Sequence, residues 1–384
     1  MRRRTLLKHG ATATVVGLAG CVGGDEGDQD TTTEATPTET PMQETTEETT
    51  ETTTEKSLSG TLKVATYSSF IDAPSTAPGG WLKKAFEKRH PDVTVKYQTP
   101  DNEVNYFIQR AAQGVDIDTD VYVGLNVDHL IRIDEKLGDK QLFASTGSEL
   151  SNYGQVKDGL KFDPQNRAVP YDTGYISLVY DESGVDAAPE TFQDLLKDQY
   201  SGDLIVQNAK TSITGRAFML WTVNTLGEEQ YLDYWKKLKN NGIKILGSWS
   251  DAYTAYENGE APMVVSYSTD QVYANRQDKD LTKHQVGFLN DQGYANPEGM
   301  AKFADTDNPE LAEEFMDFVL TKRAQTKIAQ LNVQFPATDW APLSDEFRKY
   351  AKEPENPVTF TYEELQGNLD GWVDSWARQI AGGR

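Results

Sequence analysis

Positions 61–67, read as Thr-Leu-Lys-Val-Ala-Thr-Tyr, alternate in polarity and predict a strand. Trp81 to Arg89 follows at helical spacing, with Trp81, Ala85 and Phe86 to one side and Pro91 as its stop. Val93–Tyr97 alternates again, Val104–Gln113 is helical, and Asp120–Leu125 predicts a third strand. The pattern recurs after residue 170. Strands are predicted over Ile176–Tyr180, Leu204–Val206, Lys244–Leu246 and Met263–Tyr267. Between them come helices over Thr191–Leu196, Gly215–Leu226, Tyr231–Lys239 and Ser250–Asn258. Asn308-Pro309 opens a further helix, Asn as cap and Pro in the first turn. Trp372 and Trp376 lie one turn apart in a last one. Alternating strands and helices predict mostly parallel α/β sheets. The length suits two lobes, whose facing strand ends make a cleft able to close by hinge motion.

The first 57 residues break this pattern. Arg2-Arg3-Arg4-Thr5-Leu6-Leu7-Lys8 is a twin-arginine-type basic start. The apolar stretch 11–20 behind it is shorter than the roughly 20 residues a membrane span needs. It ends in Leu18-Ala19-Gly20-Cys21, a lipobox-like sequence that marks Cys21, the sole cysteine, for lipidation. Residues 22–57 hold eleven acids against Lys56 and almost nothing apolar, which predicts a disordered tether reaching about 30–35 Å. Its threonines are candidate O-glycan carriers. The expected organisation is a signal over 1–20, a lipidated Cys and tether over 21–57, lobe 1 over 58–170 and 275–345, and lobe 2 over 171–274. The helices of 346–384 are open to either lobe. A monomer held by lipid on the outer face of the cytoplasmic membrane is the expected form.

Charge narrows the partners. The formal net charge of −23, with acids spread along the chain, opposes nucleic-acid binding and predicts a solvated surface suited to a salt-loving, archaeal source. In molar salt the Debye length is about 3 Å, so ligand capture there depends on contact pairs and stacking. Without a cysteine beyond Cys21 the folded part has no disulfide, thiolate metal site or thiol nucleophile. His90, His129 and His284 are scattered without metal-ligand spacing, and there is no G-x-S-x-G elbow or phosphate loop. The chain is therefore read as a binder and not an enzyme, with no cofactor and no metal.

Four segments in chain order carry a resemblance: Thr66-Tyr67-Ser68-Ser69-Phe70; Pro170-Tyr171-Asp172-Thr173-Gly174-Tyr175 with Val179-Tyr180-Asp181; Trp249-Ser250-Asp251-Ala252-Tyr253; and Val265-Ser266-Tyr267-Ser268-Thr269. With Thr211-Ser212 and Gly215, they make residues 60–384 similar to the thiamine-binding proteins of ABC importers, which have the two-lobed type II periplasmic-binding α/β fold with a cleft between lobes. The resemblance implies an ABC permease and its ATPase as partners. It also implies thiamine, its monophosphate or its pyrophosphate as ligand. By position it implies Tyr67 and Trp249 against the rings and Asp101-Asn102 on the aminopyrimidine, where the family has Asp-Gly. Thr211-Ser212 would meet the hydroxyethyl or phosphate arm, with Ile213 where a hydroxyl is usual. Tyr267, Ser268, Thr269, Asp270 and Tyr273 complete the set. Two family tryptophans have no counterpart, one in the loop 71–80 and one at Val333.

Such residues suit a cationic thiazolium. Aromatic faces contribute roughly 0.5–2 kcal/mol each to a desolvated cation, and a carboxylate adds charge-assisted hydrogen bonds. Asp101 reads equally as a cap for the helix from Val104. Trp221, Trp235, Trp372 and Trp376 read as packing, and Asp172 with Tyr171 and Tyr175 as structural. The alternative ligands are another cation such as a polyamine, or ferric iron.

Overall fold

The computed structural model describes residues 58–72 and 77–382. The segments expected to be an export signal, a lipidated Cys21 and a tether lie outside the described residues. Among the described residues no helix is long and apolar enough to cross a membrane.

In chain order the elements begin β1 (Gly60–Ala65), α1 (Ser68–Ile71), α2 (Gly79–Arg89), β2 (Val93–Gln98), α3 (Val104–Ala112), β3 (Val121–Leu125) and α4 (Val127–Leu137). After three short 3-10 turns come β4 (Val169–Tyr180), β5 (Leu204–Gln207), α5 (Ile213–Leu226), α6 (Tyr231–Asn240), β6 (Lys244–Leu246), α7 (Trp249–Glu257), β7 (Met263–Tyr267) and α8 (Asp270–Arg276). β8 (Gln285–Gly287), β9 (Gln292–Lys302), α9 (Pro309–Leu320), α10 (Lys322–Asn332), β10 (Phe335–Pro336), α11 (Asp345–Tyr350), β11 (Asn356–Val358), α12 (Tyr362–Leu365) and α13 (Leu369–Trp376) complete the chain.

The strands run β2-β1-β3-β9-β4-β7-β5-β6. β1 pairs in parallel with β2 and β3, and β5 pairs in parallel with β6 and β7, so each wing is an α/β unit. The wings meet through two long antiparallel strands. β4 lies against β9 over its first half and against β7 over its second. β8 pairs with the β7-side half of β4, so we propose that the return to the first wing comes on β9, later in the chain than the expected residue 275. The C-terminal helices touch both wings: Tyr362 donates to Asp134 of α4 at 2.6 Å, and Trp376 meets Trp235 of α6 edge-on at 5.2 Å. Trp221, Trp235 and Trp376 are buried, and Trp372 is packed against the same core from its edge.

Two local expectations change. Asn308 occupies the N-cap position of α9, but its side chain donates to Asp120 at 3.1 Å and accepts no cap bond. The segment 191–196 yields only a 3-10 turn over Asp194–Leu196.

Candidate functional site

A parallel strand followed by a turn delivers its next residues to its carboxyl end, and here five strands do so around one cavity of about 510 Å³. Tyr67 to Ser69 follow β1, and Gly124 closes β3. Thr211 to Thr214 follow β5, Ser248 and Trp249 follow β6, and Ser266 to Asp270 end and follow β7 (Ser268 apart). Glu298 of β9 and Glu103, Asn332, Val333 and Gln334 add to the lining. The walls carry five aromatic rings, Tyr67, Trp249, Tyr253, Tyr267 and Tyr273, and three carboxyls, Glu103, Asp270 and Glu298. Among the described residues, no lysine, arginine or histidine lines them.

Each ring is held. Ser248 caps α7 by accepting from the Asp251 amide at 3.1 Å, so the helix starts at Trp249, one residue before the expected Ser250. Trp249 stacks on Tyr253 at 5.0 Å and donates from Nε1 to Ser266 at 3.0 Å, yet 38% of it stays exposed. A fixed indole with one bare face is a stacking platform. Tyr67 donates to Glu298 at 2.9 Å and sits edge-on to Phe70 at 5.6 Å. The Tyr267 ring lies over Gly174 of β4, where a Cβ would come within 2.5 Å of it. The Lys279 ammonium stands 4.7 Å from the centre of the Tyr273 ring and 5.9 Å from that of Tyr253.

Thr211 donates to the Gly247 carbonyl at 2.7 Å. Ser212 caps α5, accepting from the Gly215 amide at 3.3 Å, so its hydroxyl proton remains available to a ligand. The N-terminus of this 14-residue helix meets the cavity and carries partial positive charge. Asp270 is committed elsewhere: it accepts from Tyr253 at 2.6 Å and pairs with His284 at 2.7 Å.

Of the expected residues, the cavity gathers Tyr67, Thr211, Ser212, Trp249, Tyr267, Thr269, Asp270 and Tyr273. Ser268 is buried and does not line it; its amide donates to the Tyr175 carbonyl at 2.9 Å. Asp101 and Asn102 are exposed in the turn before α3, outside the lining, and α3 has no side-chain cap. The acid that this turn presents is Glu103, at φ 49° and ψ −131°, a conformation at which only glycine is at ease. Burial, reinforced by the Asp128 charge, pushes its carboxyl above the ordinary value. Glu103, Glu298, Asn332 and Gln334 have no signal of their own in the sequence, whereas Tyr253 falls in the Trp-Ser-Asp-Ala-Tyr segment and Val333 stands at a family tryptophan position.

Residues 81–357 match the family described as bacterial extracellular solute-binding protein. The chain belongs to that family. This solute-binding protein is 29% identical over 321 residues to the thiamine-binding periplasmic protein of Salmonella typhimurium, covering 83% of this chain and 93% of the relative. The Escherichia coli protein of the same name is 28% identical over 320 residues, with the same coverages. A solved periplasmic thiamin binding protein superposes with a TM-score of 0.73 at 25% identity, covering 85% of this chain and 97% of that one. The fold is thus the two-lobed α/β type of periplasmic binding proteins, with the cavity in its cleft.

Proposed function

We propose that this solute-binding protein captures thiamine outside the cell and delivers it to an ABC permease. One observation carries the reading: among the described residues, the cleft is walled by five aromatic rings and three carboxyls without a basic side chain. That lining suits a flat cation and opposes an anion of high charge. The relatives that span nearly the whole folded part are thiamine-binding proteins, which favours this cation over a polyamine. Trp249, with its bare face, takes a ring by stacking, and Ser212 at the α5 N-terminus takes the hydroxyethyl arm. A single phosphate can be met by that helix end, but a pyrophosphate brings about three negative charges towards the carboxyls. Affinity is therefore expected to fall from thiamine or its monophosphate to the pyrophosphate. We retain lipid anchoring at Cys21 as part of the proposal.

The test is tryptophan fluorescence of the protein in high salt, titrated with thiamine. Saturable quenching that disappears in Trp249→Phe and persists in Trp376→Phe is expected. Trp249→Ala should weaken binding by about 0.5–2 kcal/mol, the worth of one aromatic face. A folded protein that ignores thiamine but binds spermidine would move the ligand to the polyamines.

A further inference from the structure

Glu298 and Asp172 stand opposite each other in the β4–β9 ladder, on the strands that join the two wings. Glu298 turns towards the cavity and accepts from two phenols, Tyr171 at 2.5 Å and Tyr67 at 2.9 Å. Asp172 is fully buried behind it. One of its oxygens accepts from Asn332 at 2.7 Å, and the other has no hydrogen-bond partner. Two acids held in register, with only phenols and an amide around them, cannot both ionise at ordinary cost. The charged or titratable groups that bear on the pair are Glu103 before α3, Tyr67 after β1, Tyr122 of β3, Tyr171 of β4 and Tyr267 of β7. None of these supplies positive charge.

We propose that Glu298 is the residue that selects a cationic ligand, and that the Glu298–Asp172 pair holds one proton in the empty cleft and gives it up to solvent when the cation enters. The inference rests on the thiamine reading above. The positive charge of the ligand does what no protein side chain does here, stabilising the second carboxylate, so capture and deprotonation are the same event. Burial pushes both carboxyls above the ordinary range, and the Glu298 charge adds to the shift at Asp172, in keeping with a retained proton. An acid held protonated in the fold contributes stability at low pH that is lost as pH rises towards its folded value. Removing either charge should therefore raise the melting temperature of the ligand-free protein at neutral pH.

Calorimetry of the full chain with thiamine at pH 7, in two buffers of different ionisation enthalpy, tests the proposal. Wild type should release a fraction of a proton per ligand. Glu298→Gln should release none and bind about 10- to 100-fold more weakly, the worth of a charged hydrogen-bonding partner. Its affinity for the neutral aminopyrimidine half of thiamine should fall much less. Asp172→Asn should suppress proton release and remove the pH dependence of thiamine affinity near neutrality, while Glu298 still meets the cation. A ligand-free Glu298→Gln protein that melts higher at pH 7 supports the shared proton without any ligand. Thiamine binding unchanged in Glu298→Gln, or equal heats in both buffers, overturns this inference and leaves the thiamine reading standing. Failure of folded wild type to bind thiamine overturns both.

Discussion

Asp128→Ala is expected to destabilise the protein by about 3–5 kcal/mol, because it leaves a buried guanidinium without its counter-charge. Asp128 in α4 and Arg216 in α5 form an ion pair between helices of the two wings, with side chains only 7% and 9% exposed. The remaining Arg216 hydrogen bonds go to the Ala209 and Lys210 carbonyls, at 3.2 and 3.5 Å, and neither carries charge. Burial pushes the Asp128 carboxyl up, but Arg216, followed by His129 and Arg132, more than offsets this and holds it below the ordinary carboxylate value. A depressed acid contributes stability that is fully present above its unfolded value, about 3.9, and is lost as pH falls through the lower folded value. Urea unfolding at pH 7 should therefore show the full loss in Asp128→Ala. As pH falls below about 4 the gap between variant and wild type should narrow, closing below the lowered folded value. Replacing both partners, as Asp128→Leu with Arg216→Met, should recover most of the loss, since the cost lies in the unpaired charge and not in the missing attraction. A double replacement as unstable as the single one would show that packing, not charge, holds this joint.

The wings of the sheet were legible and its centre was not, for a reason that concerns function. Lys244–Leu246 and Met263–Tyr267 form strands at the limits read from their apolar runs. Elements β1, β2, α3 and β3 differ by one or two residues at their ends, as fraying termini do. By contrast β9 reads Gln-Gly-Tyr-Ala-Asn-Pro-Glu-Gly-Met-Ala-Lys, a composition that predicts a loop. Its polar residues serve the cleft: Glu298 meets two tyrosines, and Asn296 stands beside the Tyr267 phenol of the lining. The first half of β4 was hidden by Asp172, Thr173 and Gly174 for the same reason. Glu298 finds its partners 127 and 231 residues away, a separation that no local pattern reports. The aromatic lining could be read because Trp249 and Tyr267 stand at the ends of recognisable strands. The turn before α3 leaves Asp101 exposed and presents Glu103 to the cavity, because the backbone reversal at Glu103, not the sequence around Asp101, decides which carboxyl lines it.

Gly124→Ala should disable the cleft while leaving most of the fold in place. Gly124 has φ +105°, a conformation that costs an alanine about 1–3 kcal/mol. It sits where the β3–β9 register slips between Val123 and Leu125, an irregularity of the kind that re-aims side chains beside sites. A Cβ there would lie 2.6 Å from Cδ1 of Tyr67 and 2.8 Å from its Cε1, so the ring must leave its place. Moving it breaks one of the two phenol hydrogen bonds that orient Glu298 and removes one aromatic wall, for an expected thiamine affinity loss of about tenfold or more. A double-mutant cycle with Tyr67→Ala separates the two effects. With the ring gone, the alanine has nothing to displace, so Gly124→Ala should cost only its backbone strain in stability and little further affinity. The coupling between the two sites is then expected to be about 0.5–3 kcal/mol, the range for residues in contact. Additive losses of affinity would mean that Gly124 serves the turn of the backbone alone. Non-additive losses would show that a missing side chain in one strand makes room for the aromatic wall of the ligand cleft.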